Sequence, residues 1–80
     1  MSLAQIISGN VDFGTVTATS GGTTAVSNSS VTANSLIILT YKSGTTATPG
    51  AFVSAVTPGT GFSITAGTGD SAIYNYMIIN

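Results

Sequence analysis

The chain has 80 residues and carries fixed charge at only three of them, Asp12, Lys42 and Asp70, for a net charge of −1. It has no His, Cys, Glu, Arg or Trp, while Thr, Ser and Gly supply 14, 11 and 10 residues. That composition excludes a Ser/His/Asp or Cys/His nucleophile, which needs an imidazole base. It also excludes a zinc site built on Cys and His and a nucleic-acid surface, which needs several Lys or Arg.

Length alone predicts one small domain over residues 1–80. Thr, Val, Ile, Tyr and Phe fill the segments between glycines, and such residues suit a pleated surface. No segment places apolar residues at helical spacing over three turns. The first predicted strand is 4–8, ended by Gly9 and Asn10. The second is 11–18, where Val11 and Phe13 share one parity and Val16 and Ala18 the other. Such a change of phase predicts a bulge or bend at Gly14. Residues 20–22 read as a turn and 23–27 as a third strand.

Residues 35–43 carry the strongest strand signal. Leu36, Ile37, Ile38 and Leu39 make it apolar on both faces, which predicts burial on both. An 80-residue sheet can cover one of those faces; the other needs a second sheet or another subunit. This run is also far too short to cross a bilayer, so no membrane is expected. A polar loop over 43–50 follows, and Lys42 marks the point where the strand leaves the core. Residues 51–57 form a fifth strand. Pro58, Gly59 and Gly61 make a tight hairpin connection to 62–66, where Phe62, Ile64 and Ala66 face inward. After a turn over 67–70 comes the last strand, 72–80. Its one face holds Ile73, Asn75, Met77 and Ile79; its other holds Tyr74, Tyr76 and Ile78.

About seven short strands separated by Gly and Pro turns predict an all-β fold, a small antiparallel β-sandwich or barrel, jelly-roll-like. Leu36, Ile37, Ile38, Leu39, Tyr74, Tyr76 and Ile78 are the expected core or oligomer-interface residues. Asp12 and Asp70 are the only carboxylates, the minimum for a glycosidase pair. Each lies in a Gly-rich context where Asp favours turns, so no catalytic residues, metal or cofactor are expected.

Self-association is expected for two reasons. A domain this small is marginal alone and has no disulfide to help it. A surface of Thr, Ser, Asn and Gly can also pack against copies of itself without burying ions. A carbohydrate-binding or adhesive module is the alternative, with Tyr41 and Tyr76 as stacking faces for a glycan and Tyr74 beside them. A filament or surface-layer subunit is the second alternative.

Four stretches carry a resemblance: Gly14-Thr15-Val16-Thr17; Ala25-Val26-Ser27-Asn28; Val31-Thr32-Ala33-Asn34-Ser35-Leu36-Ile37-Ile38-Leu39-Thr40; and Gly61-Phe62-Ser63-Ile64-Thr65. In that order they resemble small all-β structural modules of tailed-bacteriophage virions, among them capsid decoration, head-fibre and tail-fibre proteins. The resemblance implies a non-enzymatic virion protein, a homotrimer, with other virion or capsid proteins as partners and no catalytic residues to transfer. A fibre tip follows a long shaft, so 80 residues standing alone favour a decoration or fibre subunit.

Overall fold

A computed structural model describes residues 11–47 and 50–80. Six strands form there: β1 (Val11–Thr17), β2 (Thr23–Ser27), β3 (Leu36–Ser43), β4 (Phe52–Thr57), β5 (Gly61–Thr65) and β6 (Ile73–Ile79). The expected strand at 4–8 lies outside the described residues. Among those described there is no helix, and hence none long and apolar enough to cross a membrane.

The strands build two antiparallel sheets of three, ordered β1-β6-β3 and β2-β5-β4. The all-β sandwich expected from the sequence is therefore present, with six strands described. The two sheets are linked by arches: β1 leads into β2, β2 into β3, β3 into β4, and β5 into β6, each changing sheet. The last arch supplies the central strand of both layers. Backbone bonds tie the arches at one end, from Ala18 N–H to Ala72 O (2.9 Å), Gly21 N–H to Gly67 O (3.0 Å) and Ala66 N–H to Gly22 O (3.0 Å).

Among the described residues the only hairpin joins β4 to β5. Thr60 N–H donates to Thr57 O at 3.0 Å. Pro58 occupies the second turn position and Gly59, with φ of 76°, the third. That is the arrangement of a type II turn, in which the third position demands positive φ. Gly59 N–H also donates to Val31 O at 2.7 Å, pinning the hairpin to the β2–β3 connection.

Alternation along each strand fills the space between the sheets. Val16, Ala18, Val31, Phe62, Ile64, Ala66, Ala72, Tyr74 and Ile78 form the core, with Val26, Ile37, Leu39, Val53 and Tyr76 packed against it. Phe62, Ile64 and Ala66 all point inward as their spacing predicts.

The β1 strand departs from expectation. Its register against β6 runs unbroken from Val11↔Ile79 to Thr17↔Ile73, so Gly14 is not a bulge. One parity, Asp12, Gly14 and Val16, faces inward along the whole strand, while Val11 and Phe13 face out. Gly14 stands opposite Tyr76, and a Cβ there would come within 2.7 Å of the Tyr76 ring carbon Cε2. The missing side chain makes room for that ring, which meets Phe62 edge-on with centroids 5.2 Å apart. The register shifts occur instead on β3, between Tyr41 and Ser43, and on β4, between Val53 and Ala55. Both are edge strands, where bulges discourage further pairing. Asp12 also departs from expectation, since it lies within β1 and not in a turn.

Because the Tyr76 ring is held by Phe62, it has little freedom to retreat. Gly14→Val is expected to cost about 1–3 kcal/mol through overpacking, read as a shift in the urea midpoint at unchanged slope. A loss below about 0.5 kcal/mol, the level of an inert surface change, would mean the ring is not wedged.

Candidate functional site

Two features stand out from the fold: the outer face of the β1-β6-β3 sheet and a buried carboxylate at the arch end of the sandwich.

Side chains of directly paired strand residues share a face. Inward-facing rows are Asp12–Ile78–Ile37, Gly14–Tyr76–Leu39 and Val16–Tyr74–Tyr41; outward-facing ones are Val11–Ile79–Leu36, Phe13–Met77–Ile38 and Thr15–Asn75–Thr40. The four-residue aliphatic run is therefore split. Ile37 and Leu39 are half-buried against the core, whereas Leu36 and Ile38 lie on the outside. Phe13 is 65% exposed and Leu36 57%. Among the other named residues, Tyr74 and Ile78 are core.

A shallow groove of about 220 Å³ crosses this outer face, lined by Phe13, Ile38, Thr40, Asn75, Tyr76 and Met77. A fourth row, Thr17–Ile73–Ser43, lies beside Lys42 in the β3 bulge, whereas none of these three outward-facing rows is charged. Their few polar groups are partly engaged with one another, as Asn75 Nδ2 donates to Thr40 Oγ1 at 3.4 Å.

The outer face of the β2-β5-β4 sheet has a different character. Thr23 and Thr65 share a hydroxyl–hydroxyl bond of 3.0 Å, and Thr65 Oγ1 donates to Ser54 Oγ at 2.7 Å. Ala25, Ser63 and Ala55 complete it, with Phe52 exposed at one end. Small hydroxyl-bearing side chains thus finish one outer face, and large apolar ones the other.

The carboxylate of Asp70 is 0% exposed. It accepts from the Tyr74 hydroxyl at 2.7 Å and from Ala72 N–H at 3.1 Å. The same Tyr74 hydroxyl accepts from Ala51 N–H at 3.2 Å. One side-chain pair therefore fastens the loop after β3 to the start of β6, and a buried charge is tolerable only when so satisfied. The Tyr74 hydroxyl bond holds the Asp70 pKa below its ordinary value; burial opposes this, and the Ala72 and Ala47 N–H groups reinforce it. Burial pushes the Tyr74 phenol up, with the Ala51 N–H acting against it and the neighbouring carboxylate adding to the rise.

Asp12 sits at the other end of β6, opposite Ile78, and accepts from Asn28 Nδ2 at 2.7 Å. Traversing β6 from Ile73 to Ile78 takes roughly 16 Å at about 3.3 Å per residue. Carboxylates working as a glycosidase pair stand about 5–9.5 Å apart, so these two are not arranged as one. Among the described residues no group of three or more His, Cys, Asp or Glu comes together to hold a metal.

Of the two stacking candidates, Tyr76 is half-buried, its ring between Phe62 and Gly14. Tyr41 is 55% exposed, its hydroxyl donating to Gly44 O at 2.7 Å and its ring edge-on to Tyr74. Sequence reasoning missed Phe13 as a surface residue. Asp12 and Gly14 at inward positions disguise the parity of β1; strict alternation back from Val16 would have revealed it.

Asp70 titrates lower in the folded chain than in the unfolded one. Its contribution to stability is complete above the ordinary carboxylate range and is lost as pH falls through the lowered value. Asp70→Asn is expected to lower the melting temperature at neutral pH and to flatten its decline between about pH 4 and pH 2. Thermal melts across that range check it; an acid decline of wild-type steepness in the variant would assign the effect to another group.

No curated protein and no solved structure matches the chain significantly. A family model does match, over residues 10–79: that of the K1 capsule-specific polysaccharide lyase, C-terminal domain. This is a tail-spike family, consistent with a phage fibre-type module without singling out decoration, head-fibre or tail-fibre proteins. With almost the whole chain under that match, the protein belongs to the family of K1 capsule-specific polysaccharide lyase C-terminal domains.

Proposed function

We propose that the chain is a non-enzymatic structural module of a phage virion, of the tail-spike or fibre type, and that it works as an assembly of its own copies, three together. The family match over residues 10–79 carries this reading. The side chains agree with it. The two carboxylates are spent on structural hydrogen bonds at opposite ends of β6, and the one large uncharged face suits permanent contact with protein. A surface with only three fixed charges meets another protein without desolvating ions, the costly step in burying polar surface.

A second reading is favoured by the polysaccharide in the family's name and by the exposed ring of Tyr41. In it the module grips a glycan, with Tyr41 as the stacking face. Specific binding on a glycan array that Tyr41→Ala abolishes would support it.

Light scattering of the full chain at micromolar concentration is expected to give three times the single-chain mass of 7.9 kDa. An antibody to the chain is expected to label purified particles. A monodisperse single chain, together with particles that lack it, would overturn the structural reading.

A further inference from the structure

We propose that the outer face of the β1-β6-β3 sheet is the surface on which copies of this chain pack, with Phe13 of one copy seated in the Ile38–Thr40–Asn75–Met77 groove of another. This rests on the assembly reading above and names its contact surface.

Three observations lead there. The first is shape. Phe13 is the most exposed large apolar side chain among the described residues, and it stands on the edge strand at the rim of a groove of about 220 Å³. A projecting ring and a hollow lined by Ile38 and Met77 thus lie side by side, so that around a three-fold axis the ring of each copy can enter the hollow of the next. Aromatic side chains are enriched at the centres of such contacts.

The second is charge. The three rows around the groove carry none, Lys42 lying beyond them in the β3 bulge, and Thr40 and Asn75 are bonded to each other. A charged partner would lose its solvation there and gain no ion pair. A glycan would find few free donors or acceptors. A second copy of this face brings the same uncharged surface and matches it.

The third is area. A partner contributes roughly 800 Å² to an interface of standard size, and the broad dimensions of the molecule are 38 by 26 Å. One broad face is therefore large enough. The other broad face is finished by its own hydroxyl–hydroxyl bonds.

The test compares the full chain with Phe13→Asp and with Phe52→Asp, its counterpart on the opposite face, by sedimentation velocity and circular dichroism. Wild type and Phe52→Asp are expected to share one multi-chain mass, and Phe13→Asp to fall to the single-chain mass with its β spectrum intact. A multi-chain mass that survives Phe13→Asp, or that is lost with Phe52→Asp, overturns the proposal and leaves the assembly reading standing. A wild-type single chain overturns both. A lower melting point in Phe13→Asp at unchanged mass assigns the face to the chain's own residues and also overturns the proposal. Should Phe13→Asp not fold, cysteine pairing decides, since the chain has none of its own. Mixed Phe13→Cys and Thr40→Cys chains are expected to form a mixed disulfide on oxidation, and none forming overturns the contact.

Discussion

A sandwich of two three-stranded sheets has four faces, and its core hides two. The remaining two must meet water or another protein. Soluble domains dress such faces with Lys, Arg, Asp and Glu, at about a quarter of all residues. This chain has three such residues, and the structure uses two of them elsewhere: Asp12 and Asp70 accept hydrogen bonds from Asn28 and Tyr74. Most features of the molecule follow from that scarcity. One outer face is finished by Thr23, Thr65 and Ser54 bonded to one another, and the other by Phe13, Leu36, Ile38 and Met77.

Charge appears where it restrains the backbone. Asp70 ties two loops through Tyr74, at the end of the sandwich where the arches are also closed by backbone bonds. Asp12 points inward from an edge strand, a placement that makes edge pairing with a foreign strand unfavourable. The opposite edges are interrupted by register shifts on β3 and β4. All these devices act on edges and ends and leave the broad faces untouched.

Much of the fold is legible in the sequence because β structure writes itself as alternation. Phe62, Ile64 and Ala66 declare their inward face, and Pro58-Gly59 declares its turn through the φ each residue prefers. The doubly apolar run at 36–39 likewise announces two apolar faces, Ile37 and Leu39 toward the core and Leu36 and Ile38 on the outside. What was not legible is β1. A pattern rule treats apolar positions as inward, but Val11 and Phe13 face out, while a glycine and an aspartate join Val16 on the inner side. Gly14 looks like a defect until Tyr76, 62 residues later, is set against it. No local window contains both. The buried state of Asp70 was hidden differently: its Gly-rich setting signals a turn correctly and its partners Ala72 and Tyr74 are close in sequence, but the loop after β3, which reaches the same Tyr74 hydroxyl through Ala51 N–H, lies outside any local window.

The order of the strands has a consequence for how the molecule comes into being. Both layers are centred on β5 and β6, so the first four strands have few partners until the last two exist. On the ribosome, β1 to β4 must wait as a solvated, weakly structured stretch, and then zip onto a ribbon made last. Such distant pairings are slow to find, and chains held open are prone to pair with the wrong neighbour. Completion of β6 gives β1 and β3 their common partner and closes the second layer onto the first.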